Sequence, residues 1–261
     1  RKNAGYVPDD AMYAAARAST DKAVMILSRY STEGGDRKAE KGDWYLSDAE
    51  AEMLTKLSSL YDSVIVLINA GGAIDTSWTV GKADGIDVEA VLYVWYPGAE
   101  GGNAIADLLL GKVNPSGKLT MTLAETLADY PSDDGFDNRD YTDYTEDIYV
   151  GYRYFDSFGA ELRWPFGYGL GYGTCALGSV SVGLDGTDVT VSAEVENIGE
   201  TWPAGEAVQV YISRPDPTGA QPVWLLDCFA RTKLLAPGER ETVQLRFPVT
   251  ELAAYRESAC A

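Results

Sequence analysis

The sequence contains no histidine. That removes Ser-His-Asp and Cys-His catalysis, histidine-ligated zinc and imidazole proton transfer together. Only three cysteines occur, Cys175, Cys228 and Cys260, an odd number and widely spaced. They form neither a metal motif nor a disulfide framework, and they read as small buried hydrophobes. This usage points to a reducing compartment, with a bacterial cytoplasm as the expected location. Positive charge is also scarce: 21 basic against 40 acidic residues, a formal net charge of -19. Such a surface repels phosphate backbones and anionic lipid, so neither nucleic acid nor a membrane is an expected partner. No apolar run approaches the ~18 residues of a membrane-spanning helix. The chain starts without Met or a signal peptide, which suggests a portion of a longer protein.

What remains is substantial. Hydrophobic residues make up 46%, enough for real cores, and 261 residues suggest two domains of ordinary size or one large one. The available proton-transfer groups are Asp, Glu, Tyr, Lys and Cys.

The first half alternates strand and helix. Asp9 or Asp10 caps a helix over AMYAAARA. Residues Ala23 to Ser28 (AVMILS) form an apolar strand of the kind buried on both faces. Ser47 and Glu50 make a capping box, followed by a stripe of Met53, Leu54, Leu57 and Leu60. VIVLIN (64–69) and VLYVW (91–95) are two further strands. Gly98 to Gly102 opens a helix carrying Ile105, Leu108 and Leu109, which Gly111 closes. LTMTL (119–123) reads as a fourth strand. This order predicts a three-layer α/β/α sandwich with a mostly parallel sheet.

Residues 124–173 are rich in Asp and Tyr and show little periodicity. A long irregular segment of this kind is either functional or wraps between domains. After Thr174 the period becomes two. Val189, Val191, Ala193 and Val195 alternate with polar residues, as do Val208, Val210 and Ile212, then Val243, Leu245 and Phe247. Asp185-Gly186, Asn197-Ile198-Gly199 and Pro237-Gly238 supply turns. This pattern predicts an all-β sandwich. The domains are expected at 1–173 and 174–261, the second lacking its last hairpin.

One stretch carries candidate chemistry. The first strand runs into SRYSTEGGDRKAEKGDW, which places Glu33 between Thr32 and two glycines. Sites in open α/β sheets lie where strands end, and glycines let a loop turn sharply beside a ligand. A loop glutamate is ordinarily solvated, so the position of Glu33 after a buried strand is what singles it out. Asp36, Arg37 and Lys38 could tie the loop down, with Arg37 pairing to Asp36, Glu40 or Asp43. Trp44 is the aromatic expected nearest a ligand.

Other motifs are weaker. GAEGG (98–102) and GYGLG (167–171) lack phosphate-binding spacing and read as turn and packing glycines. The aromatics of 130–172 could stack on sugars or pack between domains. Asp133, Asp134, Asp137, Asp140, Asp143 and Asp147 lack an EF-hand pattern, so no metal is expected. No cofactor is expected either.

The same loop resembles the acid/base loop of family 3 glycoside hydrolases, whose β-glucosidases typically read S-G-E-G-x-D-R there. The resemblance continues through VLINAGGAIDTSW, VLYVWYPGAEGGNAIADLLLGKVNPSGKL, EDIYVGYRYFD, WPFGYGLGY and VENIGETWPAGEAVQVYI, essentially the whole chain. It departs in the loop itself, where Thr32 replaces the usual Gly and Gly35 a residue that is often aromatic.

The resemblance implies the α/β/α domain that accompanies a catalytic (β/α)8 barrel, which precedes this region in most members and follows it in permuted ones, then part of a fibronectin type III-like domain. It implies a retaining β-glucosidase with Glu33 as general acid/base. Asp36, Arg37 and Trp44 would support the loop or lie near substrate. The Asp nucleophile would come from a barrel that this chain does not contain, so the chain alone is expected to be inactive. The implied partners are a β-glucoside or oligosaccharide and the barrel of the same protein. Alternatives are a family 3 β-xylosidase or a non-catalytic carbohydrate-binding or structural module. Homo-oligomerisation is left open.

Overall fold

The computed structural model describes residues 6–31, 37–81, 83–135, 138, 140–214 and 221–253. The chain forms two compact units, 1–106 with 123–133, and 107–122 with 134–261.

The first unit begins with α1 (Asp10–Arg17), whose N-cap Asp9 accepts a hydrogen bond from the Met12 amide. Strand β1 (Lys22–Ser28) follows, then α2 (Asp48–Leu60), β2 (Ser63–Asn69), β3 (Ala90–Tyr93) and α3 (Gly101–Leu109). Both halves of the Ser47–Glu50 capping box are present. β1, β2 and β3 are parallel neighbours in that order, with Val24 opposite Ile65 and Val66 opposite Val91. Tyr13 of α1 and Leu54 and Leu57 of α2 pack with Ala23, Met25, Leu27, Val64, Val66 and Ile68 into one core.

Among the described residues only β2 is closed on both faces. β1 is an edge strand whose Val24 and Ile26 are 50% and 61% exposed, so its continuous apolar run does not mean two-sided burial. β3 ends at Tyr93, because Trp95 takes a left-handed φ of 51°. The strand expected over 119–123 does not form. Instead Leu119 donates to the Tyr168 carbonyl and accepts from Gly167, so its backbone is engaged by a loop. Only a short β4 (Leu123–Ala124) follows.

In the second unit, α4 (Tyr152–Phe158) and β5 (Leu162–Trp164) interrupt the segment expected to be irregular. The antiparallel part comprises β6 (Cys175–Asp185), β7 (Asp188–Asn197), β8 (Ala207–Ile212), β9 (Leu225–Arg231) and β10 (Arg240–Pro248). One sheet runs β10-β7-β6 and the other pairs β8 with β9. Gly186, at φ 65°, makes the β6–β7 turn. Val189, Val191 and Ala193 of β7 lie beside Phe247, Leu245 and Val243 of the neighbouring β10 on one face of their sheet, in a buried layer that also takes Val208. Cys175 and Cys228 pack against this core, and burial pushes both thiols up.

Leu177, Val180, Val182 and Leu184 of β6 pair with those same β7 core residues yet stay exposed. Among the described residues the second sheet has two strands and does not reach them. The fold is therefore α/β with a parallel sheet, followed by an antiparallel β-sandwich.

Candidate active-site loop

Parallel strands that end together present their loops together. At the carboxyl ends of β1, β2 and β3 these are the loop from Arg29 to Leu46, the Ala70-Gly71-Gly72 turn, and Trp95-Tyr96. Glu33 and Asp36 lie outside the described residues, as do Thr32, Gly34 and Gly35. Their flanks are defined in detail.

The upstream flank starts with Arg29, which the sequence reading did not single out. It is 4% exposed and uses all five of its N–H donors. Nε donates to the Asp43 carbonyl at 2.7 Å. Nη1 donates to the Ser28 carbonyl and to Glu50 Oε1, and Nη2 to the Tyr45 carbonyl and to Glu50 Oε2. One guanidinium thus ties the end of β1 to the far side of the loop and to the cap of α2. Burial pushes the Glu50 carboxyl up, but its bonds from Arg29 and Ser47 outweigh this and hold it below the usual carboxylate range. A buried cation needs a buried carboxylate; an arginine at the start of a loop and a cap glutamate were the available signal. Ser31, next along, is held by Tyr96. The Tyr96 hydroxyl donates to the Arg29 carbonyl and accepts from the Ser31 amide, both at 3.0 Å.

The downstream flank is held by Asp43. Its Oδ1 accepts from Arg37 Nη1 at 2.7 Å and its Oδ2 from the Lys38 amide at 2.9 Å. The Nε and Nη2 of Arg37 are buried with no hydrogen-bond partner among the described residues. Burial pushes the nearby Tyr93 phenol well above its ordinary value, opposed by the charges of Arg37 and Arg29. Trp44 is only 7% exposed, with its ring edge-on to Tyr130 at 6.0 Å. Its carbonyl accepts from the Asp75 amide, joining this loop to the one after β2. Trp44 therefore packs beneath the loop and presents little free ring surface.

The structure brings Arg37 and Trp44 to one sheet edge and adds Arg29, Asp43, Glu50 and Tyr96. Among the described residues, no group of three His, Cys, Asp or Glu side chains is arranged to hold a metal ion, and no helix is long and apolar enough to cross a membrane.

Residues 6–172 match the glycosyl hydrolase family 3 C-terminal domain, and residues 206–260 match a fibronectin type III-like domain. A β-glucosidase A of Butyrivibrio fibrisolvens is 40% identical over 95% of this chain and 34% of its own length. A β-glucosidase of Ruminococcus albus is 39% identical over 96% of this chain and 26% of its own. Among solved structures, a Paenibacillus barengoltzii β-glucosidase superposes with a TM-score of 0.90 at 37% identity, covering 97% of this chain and 28% of that one. The β-glucosidase 3B of Thermotoga neapolitana, in complex with glucose, gives 0.86 at 40% identity over 95% and 35%. The chain spans roughly a quarter to a third of these relatives. It belongs to glycosyl hydrolase family 3, of which it carries the C-terminal α/β domain and a fibronectin type III-like region.

Proposed function

We propose that this chain is part of a retaining β-glucosidase and supplies its general acid/base, Glu33. The observation that carries the reading is the STEGGDR loop, which leaves the carboxyl end of β1 between two anchored flanks, Ser31 on Tyr96 and Arg37 on Asp43. A proton donor must be held within hydrogen-bond reach of the leaving oxygen, and fixed flanks suit that demand. Asp36, Arg37 and Trp44 support the loop in this reading. In this reading the boundary between the two domains is placed near residue 173.

The chemistry needs two carboxylates. Glu33 protonates the glycosidic oxygen as the bond to the aglycone breaks, while an Asp nucleophile takes the anomeric carbon. Glu33 then removes a proton from the water that releases the sugar. Retention requires the two carboxyl groups ~5–5.5 Å apart. The nucleophile is assigned to a (β/α)8 barrel outside this chain, so the chain alone hydrolyses nothing. That this chain has no histidine fits a carboxylate as the proton donor it supplies. The relatives' names favour a glucoside over a xyloside.

The test is Glu33→Ala in the full-length protein. Activity on glucosides with poor leaving groups should fall by orders of magnitude, and azide should restore part of it on activated ones. Unchanged activity removes Glu33 from the mechanism. Calorimetric titration of the isolated chain with cellobiose or glucose addresses the non-catalytic alternative. No measurable heat is expected, and micromolar binding would favour a carbohydrate-binding module.

A further inference from the structure

We propose that Tyr96 is a positioning residue for the acid/base loop, acting from the end of β3 on the flank that leads into Glu33; the assignment rests on the function proposed above.

β1 and β3 are not neighbours, since β2 lies between them. Tyr96 bridges that gap with a side chain. Trp95, at φ 51°, turns the backbone out of β3, and Asn69 of β2 donates to the Trp95 carbonyl and fixes the turn. The Tyr96 ring then crosses Gly71. A Cβ at Gly71 would stand 2.4 Å from the ring carbon Cε2, so the crossing requires glycine there.

At the far end the hydroxyl fills its hydrogen-bonding capacity. It donates to the Arg29 carbonyl at 3.0 Å, accepts from the Ser31 amide at 3.0 Å, and bonds the Ser31 hydroxyl at 2.9 Å. A phenol has one proton and two acceptor sites, so the Ser31 hydroxyl is the donor in the third bond. The two bonds donated by Ser31 also draw the phenol's pKa below its ordinary value, the Ser31 hydroxyl contributing most. Arg29 and Ser31 are thereby fixed to a residue 65 or more positions away, and Ser31 precedes Glu33 by two. Tyr96 is half exposed.

The role predicts a signature that general destabilisation does not produce. Misplacing an acid matters only where the leaving group needs a proton. In the full-length protein, Tyr96→Phe keeps the ring on Gly71 and removes the hydroxyl. Its kcat/KM on an alkyl β-glucoside should fall about tenfold, within the range that small misplacements cost. Its kcat/KM on the 2,4-dinitrophenyl glucoside should stay within about twofold of the parent, because that leaving group departs unprotonated. Equal losses on both substrates, or no loss on either, overturn the proposal. Should Tyr96→Phe fail to fold, Ser31→Ala removes one hydrogen bond and carries the same selective expectation at about threefold.

Glu33→Ala measured alongside separates the two readings. If it lacks the leaving-group dependence, the acid/base assignment falls. If it shows the dependence and Tyr96→Phe does not, only the role of Tyr96 falls.

Discussion

Arg29 and Glu50 meet through two parallel hydrogen bonds of 2.7 and 2.8 Å, with the arginine side chain 3% exposed. The same Glu50 caps α2 through the Ser47 amide at 2.8 Å. A helix cap and the end of a strand therefore share one carboxylate.

Arg29→Met should be severely destabilising. It leaves the Asp43, Ser28 and Tyr45 carbonyls and the Glu50 carboxylate without their buried donor. The expected cost is about 3–5 kcal/mol, the range for breaking a buried ion pair from one side. Thermal or urea unfolding measures it. Glu50→Gln in the Arg29→Met background should add less than Glu50→Gln does alone, because the partners are coupled.

The pair also sets an acid limit. The bonds from Arg29 and Ser47 hold the folded-state pKa of Glu50 below the usual carboxylate range, against the upward push of burial. Its contribution is therefore complete above the unfolded pKa and is lost as pH falls through the lower, folded one. The Tm gap between the parent and Glu50→Gln should be widest near neutral pH and should shrink below about pH 4. A gap that stays constant with pH would show that the ion pair is not the source.

Asp43 fastens both Arg37 and the Lys38 amide. Asp43→Ala should release that flank and expose two adjacent tryptic sites, after Arg37 and Lys38. Limited trypsin digestion followed by mass spectrometry should show faster cleavage there, severalfold over the parent, with cleavage elsewhere unchanged. Local opening of this kind requires little loss of global stability.

In the second unit Asn197 is 0% exposed and satisfies three backbone groups. Its Nδ2 donates to the Trp202 and Leu235 carbonyls at 2.8 and 2.9 Å, and its Oδ1 accepts from the Gly199 amide at 2.9 Å. Asn197→Leu matches the volume and orphans all three. A loss of about 2–4 kcal/mol is expected, since unsatisfied buried groups carry their desolvation cost. Asn197→Ser, which keeps some hydrogen bonding, should fall between.

Residue 197 shows how far local pattern reading extends. Asn197-Ile198-Gly199 is legible as a turn because Asn and Gly tolerate its backbone. That the amide would be buried and would also hold residue 235 depends on a partner 38 positions away. β7 and β10 are legible from their period of two. β9 and β6 are not, because neither has one face cleanly buried and the other polar. β6 contains Gly178 and Gly183 and shifts register between Leu177 and Val180. α4 lies in a run of tyrosines whose helical state follows from packing around Phe155 rather than from propensity.

The sequence by itself determined the local elements: the Asp9 and Ser47 caps, the apolar strands, the turn glycines, and a glycine-rich loop with one carboxylate at a strand end. These depend on residues a few positions apart, so their physics is contained in short windows. Tertiary structure decided which strand lies beside which, and with it that β1 is an edge and that Arg29 is buried on Glu50. It also decided that Trp44 packs under the loop and that Tyr96 crosses Gly71 to hold Ser31. Each of those depends on groups brought together only when β1, β2 and β3 align, and no local periodicity records that meeting.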